Sequence, residues 1–152
     1  MRILQLGGTG FLGYHVARIA LDLGHEVTLF HRGRTQPAPF GEDEPRLDHL
    51  IGDRDPLDPS GLGGLATLET DRTWDAVIDT SGYVPRVVGA SAELLAERCG
   101  RYLFTSSISV YATPIPTAAG EEAAVATMED ETDEVIAANY GALKALCEER
   151  VR

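Results

Sequence analysis

Three side chains in the last third of the sequence could together move a proton. Tyr140 and Lys144 are four residues apart, so in a helix they lie on the same face. An ammonium group beside a phenol favours the phenolate, and lowering a tyrosine pKa from about 10 to about 7 requires roughly 4 kcal/mol of differential stabilisation. Such a phenol can exchange a proton with a substrate hydroxyl or carbonyl, and the hydroxyl of Ser107, or alternatively Ser106, can orient the same oxygen. A tyrosine and a lysine at this spacing are more often a core ring and a solvated charge, so the pair alone does not establish a site.

A glycine-rich segment near the start of the sequence has the form of a phosphate cradle. Residues 2–6 are typical of a short buried strand, and the segment GGTGFLG at 7–13 leads into a helix that ends at Gly24. Glycine would serve there for a tight turn, for close approach of a pyrophosphate and for packing of the helix on the strand. A plain strand-to-helix connection is the alternative, and the segment lacks the Gly-Lys-Ser/Thr ending of a nucleoside-triphosphate loop. The apolar residues at helical spacing are Leu12, Val16, Ile19, Ala20 and Leu23.

Strands and helices alternate along the rest of the chain. The predicted strands are 25–30, 47–51, 76–79 and 101–106, the predicted helices are 58–68, 84–99 and 135–151, and the proline-containing segment 35–45 is a loop. This alternation predicts an α/β fold with a doubly wound parallel sheet of the Rossmann type, which binds ligands at the carboxyl ends of its strands. The residues expected to point inward from the last helix are Val135, Tyr140, Leu143, Leu146, Cys147 and Val151.

The glycine turn, the segment FTSSISVY at 104–111 and the segment NYGALK at 139–144 resemble, in this order and spacing, the extended short-chain dehydrogenase/reductase family, in its NAD-dependent epimerase/dehydratase group. The resemblance spans the whole chain. It implies strand order 3-2-1-4-5 and an NAD(P)-dependent oxidoreductase, epimerase or dehydratase that transfers hydride to or from a small-molecule substrate. It also implies that Ser107 and Tyr140 are catalytic, that Lys144 activates Tyr140 and binds ribose, and that Asp53 contacts adenine. The residues expected to bind the cofactor are Gly7, Gly10, Phe11, Leu12, Gly13, His31, Arg32, Asp53, Ser81 and Lys144.

The end of the second predicted strand departs from the NAD-binding pattern of that family. Members that prefer NAD have an acidic residue there for the ribose hydroxyls, whereas this chain has His31 and Arg32, with Arg34 close by. Arginine pairs phosphate oxygens bidentately, so NADP is the favoured cofactor and NAD the alternative. Exposed arginines in a loop can also be no more than solvated charge.

The length of the chain bounds what it contains. Its 152 residues fit one domain. The resemblance implies a C-terminal half after the last helix, so we expect residues 1–152 to be the N-terminal, cofactor-binding portion of a longer protein, which binds the cofactor without catalysis. The sequence at 80–83 differs from the alanine-rich strand end common among sugar epimerases, so no substrate is assigned. Relatives commonly dimerise through the two helices equivalent to 84–99 and 135–151, which implies a possible homodimer.

The composition narrows the classes of function and location that fit the sequence. A formal net charge of −11 argues against a nucleic-acid partner, although a non-catalytic nucleotide-sensing or RNA-binding module on the same fold is the alternative function. The sequence contains neither a run of about 20 apolar residues nor a signal peptide, so we expect no membrane association and a cytoplasmic location. Cys99 and Cys147 are isolated, which predicts reduced, packed thiols and no metal site.

Overall fold

The computed structural model describes residues 1–34, 40, 45–57 and 71–152. The predicted helix at 58–68 and most of the predicted loop at 35–45 lie outside these residues. The strands are β1 (Arg2–Leu6), β2 (Glu26–His31), β3 (Leu47–Ile51), β4 (Ala76–Asp79) and β5 (Tyr102–Phe104). The helices are α1 (Phe11–Asp22), α2 (Pro85–Leu95) and α3 (Ile136–Arg150), and a short 3₁₀ helix covers Ile108–Val110.

The five strands form one parallel sheet in the order β3-β2-β1-β4-β5, as predicted. The last residue of β1, Leu6, pairs with Phe30 on one side and with Asp79 on the other, and Asp79 pairs with Phe104. The carboxyl ends of four neighbouring strands therefore meet at one edge. The strand order reverses between β1 and β4, and in open α/β sheets ligands bind at such a switch point.

The two faces of the sheet are buried by different helices. Along β1 the side chains alternate, so that Ile3 packs with α1 on one face and Leu4 and Leu6 pack on the other face with Leu95 of α2. α3 packs beside α2 on this second face. This arrangement brings the carboxyl-end loops of the sheet together with the first turns of all three helices. No helix in the described ranges is long and apolar enough to span a membrane.

The buried face of α1 differs from the face that the apolar spacing predicts. Leu12, Ile19 and Leu23 are 47%, 59% and 69% exposed, whereas small residues cover much of the contact with the sheet. Small side chains allow the helix backbone to approach the strands closely. Ala20 belongs to the predicted set, whereas Gly13 and Ala17 do not. The buried residues of α1 are Gly13, Ala17, Ala20 and Leu21.

The remaining corrections lie at element ends. In α3, Leu143 and Cys147 are buried as predicted, but Val135 precedes the helix and is 57% exposed. The fifth strand ends at Phe104 rather than at 106, because the chain then turns into the 3₁₀ helix. α2 ends at Leu95 rather than at 99.

Candidate functional site

A cleft of about 470 Å³ opens at the carboxyl edge of the sheet. Four loops line it, and they contribute Gly7 after β1, Arg32 after β2, Asp53 after β3 and Ser81 after β4, together with His31 at the end of β2. These five residues are half of the set expected to bind a dinucleotide. Gly10, Phe11, Leu12, Gly13 and Lys144 are not among the residues that line it.

The turn between β1 and α1 requires glycine for two separate reasons. Gly7 has φ +100°, a backbone conformation that other residues adopt only with strain. Gly13 lies against the turn itself, because a Cβ built on it would come within 2.6 Å of the Gly8 Cα. The buried side chain of Gln5 reinforces this contact by donating from Nε2 to the Gly13 carbonyl at 2.7 Å. Helix α1 is thereby held tightly on β1.

The first turn of α1 presents backbone donors that the helix does not use. The first helical hydrogen bond runs from the Tyr14 N–H to the Gly10 carbonyl, and no side chain caps the helix. The N–H groups of residues 11–13 therefore have no partner within the helix. A Cβ at Gly10 would meet no atom within 4 Å, so the space above this turn is open. Uncapped amides and the positive end of the helix dipole together favour an anion.

The arginines after β2 lie beside Asp53, the residue predicted to contact adenine. Arg32 and Arg34 each approach the same oxygen of Asp53, at 3.8 and 3.7 Å. Both guanidinium side chains are about half exposed, whereas the Asp53 side chain is mostly buried. The sequence places no acid at the end of β2, but the fold supplies one from β3. A 2′-phosphate at this point would compete with Asp53 for the two arginines.

His31 is held as a neutral imidazole. Its Nδ1 accepts a hydrogen bond from the Gly33 N–H at 3.1 Å, so the ring proton is on Nε2, which lies 3.0 Å from Nδ1 of His49. Burial, and then the neighbouring His49, lower the pKa of His31 below its ordinary value. His31 therefore packs the end of β2 against β3 and contributes no positive charge to the cleft near neutral pH.

Lys144 joins two of the loops at the edge of the sheet. Its Nζ donates to the carbonyl of Gly82, after β4, at 2.8 Å and to the carbonyl of Thr105, after β5, at 2.6 Å. The residue is only 3% exposed, and burial lowers the pKa of its ammonium group. The ring of Phe104 lies 3.9 Å from Nζ and stabilises the buried charge. Two of the three N–H donors are used by these carbonyls, which leaves one for a ligand.

Tyr140 lies in the same cluster as Lys144. The ring of Tyr83, a residue that lines the cleft, is 6.4 Å from the Tyr140 ring and 5.6 Å from the Lys144 Nζ. Asn139 has non-helical dihedral angles, so the regular part of α3 begins at Tyr140. From that point the i, i+4 spacing places Tyr140 and Lys144 on one helix face, as predicted.

The two candidate serines differ in their surroundings. The Ser107 Oγ accepts a hydrogen bond from the Ser109 N–H at 3.1 Å and caps the 3₁₀ helix, which leaves its O–H proton available to a ligand. The Ser106 Oγ is buried without a hydrogen-bond partner in the described part of the chain. Both residues follow Thr105, whose carbonyl accepts a hydrogen bond from Lys144. The backbone therefore links both serines to the Lys144 side chain.

Sequence reasoning missed two features of this edge. One is a buried ion pair between Arg54 and Asp79 at the floor of the cleft. The other is that Lys144 is the only lysine in the sequence, every other basic side chain apart from the histidines being arginine. A compact ammonium group fits between two carbonyls where a planar guanidinium does not, so the one lysine stands where its shape is required. A count of lysines would have singled it out.

The comparisons with known proteins place this geometry in context. No protein-family model matches the chain. The chain is 32% identical over 121 residues to the chloroplast stem-loop binding protein of 41 kDa b from Arabidopsis thaliana, a match that covers 72% of this chain and 30% of that protein.

Solved structures match over almost the whole chain. The enzyme WbmG of Bordetella bronchiseptica, in complex with NAD and UDP, matches with a TM-score of 0.72 and 18% identity over 99% of this chain and 49% of its own. The UDP-Glc/GlcNAc 4-epimerase of Campylobacter jejuni matches with a TM-score of 0.72 and 20% identity over 97% and 47%. The dTDP-glucose 4,6-dehydratase of Bacillus anthracis, in complex with NAD, gives 0.66 and 17% over 98% and 48%.

This chain thus spans about half the length of those structures and 30% of the curated relative. Its parallel sheet, with strand order 3-2-1-4-5, has the fold of the matching part of those structures. The resemblance that the motifs indicate is confirmed: the chain has the fold found in NAD-dependent epimerases and dehydratases of the extended short-chain dehydrogenase/reductase family.

Proposed function

We propose that this chain binds a nicotinamide dinucleotide in the cleft at the carboxyl edge of the sheet. The position of Lys144 carries the proposal, because its two carbonyl bonds hold the only lysine of the chain beside the ends of β4 and β5, next to the ring of Tyr83, which lines the cleft. The site fits such a ligand. The uncapped amides at the start of α1 would hold the pyrophosphate, and Asp53 and Arg32 would hold the adenosine end.

We further propose that in the whole protein Ser107, Tyr140 and Lys144 form the acid/base site of an oxidoreductase, epimerase or dehydratase. A bound nicotinamide supplies the hydride chemistry. Tyr140, assisted by Lys144 on the same helix face, would take a proton from, or return it to, the hydroxyl or carbonyl oxygen of a small-molecule substrate. The Ser107 hydroxyl would donate a hydrogen bond to the same oxygen and orient it.

NADP is the proposed cofactor, with NAD as the alternative. The support comes from Arg32 and Arg34, which are half exposed and lie on the cleft side of the β2 end. Each can make a charge-assisted contact to a 2′-phosphate, worth about 1.5 to 3 kcal/mol before the competing Asp53 is displaced. The net preference for NADP is therefore expected to be smaller than two new contacts would give.

Calorimetric titration of the chain with NADP and with NAD tests the binding proposal. Gly10→Val should abolish binding of both, since a branched side chain would fill the open space above the turn. Gly89→Ala is the matched control, because its Cβ would meet only the flexible Arg150 side chain, at 3.5 Å, outside the cleft. Equal affinity in all three proteins would reject the cradle as the ligand site.

The catalytic proposal requires the whole protein. Tyr140→Phe removes only the transferable proton, so it should keep the fold and the cofactor but lose turnover. Lys144→Met should impair both turnover and cofactor binding. The present chain should bind the dinucleotide without turnover, because orientation of a substrate can supply roughly 7 to 11 kcal/mol of the barrier and depends on a complete pocket. Steady turnover by residues 1–152 alone would contradict this.

The charge of the chain bears on the alternative function. The Arabidopsis relative is named a stem-loop binding protein, but the net charge of −11 here opposes contact with a polyanion. A nucleic-acid partner is therefore not proposed for this chain.

A homodimer through α2 and α3 stays a prediction. Leu143 is fully buried within the chain, so the partly exposed Leu146 would have to carry more of the contact between subunits. Light scattering at high protein concentration measures the mass, and a strictly monomeric value would exclude the dimer.

A further inference from the structure

A charged pair is buried at the floor of the cleft, where Arg54 lines the cleft and Asp79 lies behind it. The two terminal nitrogens of Arg54 donate to the two carboxylate oxygens of Asp79 at 2.7 and 2.8 Å. Asp79 is fully buried and Arg54 is 7% exposed. Neither residue is used by the acid/base chemistry proposed above.

Further hydrogen bonds hold both members of this pair. The Nε of Arg54 donates to the Ser91 Oγ of α2 at 3.0 Å, and the Tyr102 hydroxyl of β5 donates to Asp79 at 2.9 Å. Burial, and then the Asp79 charge, raise the pKa of the Tyr102 phenol, which keeps it protonated as the donor. The network therefore joins the loop after β3 to β4, β5 and α2.

The pair spans the width of the cleft. Arg54 follows Asp53 directly, and it reaches across the ends of β2 and β1 to the last residue of β4. On the far side, Asp79 accepts a hydrogen bond from the Ser81 N–H at 3.0 Å. Asp53 and Ser81 both line the cleft, so one ion pair connects two of its opposite walls.

The same pair supports the site of Lys144. The Asp79 carboxylate lies so close to Gly82 that a Cβ on Gly82 would be 3.0 Å from it, and the Gly82 carbonyl accepts from Lys144.

Stability alone does not explain such a pair, because replacing a buried ion pair by apolar residues of similar volume is often neutral or stabilising.

We infer that Arg54 and Asp79 are positioning residues that set the distance between the Asp53 wall and the Ser81 wall of the cleft. The part of the inference that concerns ligand affinity rests on the proposed dinucleotide binding. The placement of the two walls can be measured without a ligand. Breaking the pair should release both walls and thereby weaken dinucleotide binding.

The test removes the pair without leaving a lone buried charge. The variant Arg54→Met/Asp79→Leu/Tyr102→Phe replaces the charges and the orphaned phenol by apolar groups. Arg72→Gln is the matched control, because it breaks an arginine–aspartate pair, with Asp48, at the opposite edge of the sheet. Thermal unfolding reports stability, and calorimetry with NADP and with NAD reports affinity. Amide hydrogen exchange of Asp55 and Ser81, whose N–H groups bond to Asp53 and Asp79, reports the two walls.

We expect the apolar variant to fold with a thermal midpoint close to that of the wild type, while exchange of the Asp55 amide becomes about tenfold faster or more. Affinity should fall about tenfold or more, which corresponds to 1.4 kcal/mol. The Arg72→Gln control should change neither the exchange rate of the Asp55 amide nor the dinucleotide affinity. Exchange of the Asp55 amide at the wild-type rate in the folded variant would overturn the inference.

Two outcomes separate this inference from the proposed function. If the wild type binds neither dinucleotide, the proposed function fails, and amide exchange alone decides the positioning role. If the apolar variant does not fold, Arg54→Lys takes its place, since it keeps the charge but cannot span both carboxylate oxygens. Its Asp55 amide should also exchange faster, and unchanged exchange there would again overturn the inference.

Discussion

Gly141 of α3 lies directly against the backbone of Ser109. A Cβ built on Gly141 would overlap the Ser109 carbonyl oxygen. Gly141 follows Tyr140, and Ser109 is the residue whose N–H bonds to the Ser107 hydroxyl. The absence of a side chain at 141 therefore brings the Tyr140 helix and the Ser107 segment together.

Gly141→Ala should destabilise the chain even though alanine is the better helix former. The gain in helix propensity is about 1 kcal/mol, whereas overpacking costs about 1 to 3 kcal/mol and falls here on backbone that cannot rotate away. We expect a net loss of up to about 2 kcal/mol in the free energy of unfolding, measured by urea denaturation. Gly89→Ala, in the middle of α2, should be neutral or stabilising. Equal effects at the two positions would show that the contact at Gly141 is not tight.

Stability should depend on pH through His31. Because the pKa of His31 is lowered in the folded chain, the unfolded chain binds a proton first as the pH falls below about 6.5. The free energy of unfolding should therefore fall with decreasing pH between 6.5 and the folded pKa, by at most about 1.4 kcal/mol per pH unit, and this component should be flat above that range.

Urea denaturation at pH 7.5 and at pH 5.5 measures this effect. His31→Asn keeps an acceptor for the Gly33 N–H but cannot titrate, so it should lose less stability than the wild type on acidification. His15→Gln changes an exposed histidine and serves as the control. An identical pH response in the wild type and in His31→Asn would exclude His31 as the source.

The preference for NADP over NAD should depend on the pairing of Asp53 with Arg32 and Arg34. Asp53→Asn removes the carboxylate that pairs with Arg32 and Arg34, so both become available to a 2′-phosphate. The affinity for NADP relative to NAD should rise about tenfold, whatever happens to both affinities through loss of the proposed adenine contact. Adding Arg32→Ala and Arg34→Ala should cancel the rise. An unchanged ratio in Asp53→Asn would show that neither arginine contacts the 2′-phosphate.

The parts of the fold that follow from local pattern could be read from the sequence. The glycine turn and the alternation of apolar segments are local signals, and they predict the parallel sheet. The buried face of α1 was predicted only in part: Ala20 is buried as expected, but Ile19 and Leu23 are exposed and Ala17 makes the contact instead. Close packing of a helix on a sheet depends on small residues as much as on hydrophobic ones.

The floor of the cleft could not be predicted in this way. Arg54 and Asp79 are 25 residues apart, and the sheet order places two strands between β3 and β4. Their pairing follows from the crossover, for which no periodicity in the sequence gives a signal. The pairing of Arg32 and Arg34 with Asp53 is of the same kind, because an acid absent from one strand end is supplied by the next.

Lys144 should be protected from amine-reactive reagents in the folded chain. The sequence has two primary amines, the α-amino group of Met1, which lies on the surface, and Nζ of Lys144. The lowered pKa of Lys144 would by itself speed acylation, since the neutral amine is the nucleophile. Burial and the bonds to Gly82 and Thr105 oppose this, and reaction then requires local opening.

In the native chain we therefore expect mass spectrometry to find fast labelling of Met1 and labelling of Lys144 that is slower by about tenfold or more. In denaturant both amines should be labelled fast. Lys144→Arg confirms the assignment, because it should take up one label under both conditions. Labelling of Lys144 as fast as Met1 in the native chain would mean that its ammonium group is open to solvent. The two carbonyls would then not hold it at the edge of the sheet, and the proposed site would lose the contact on which it depends.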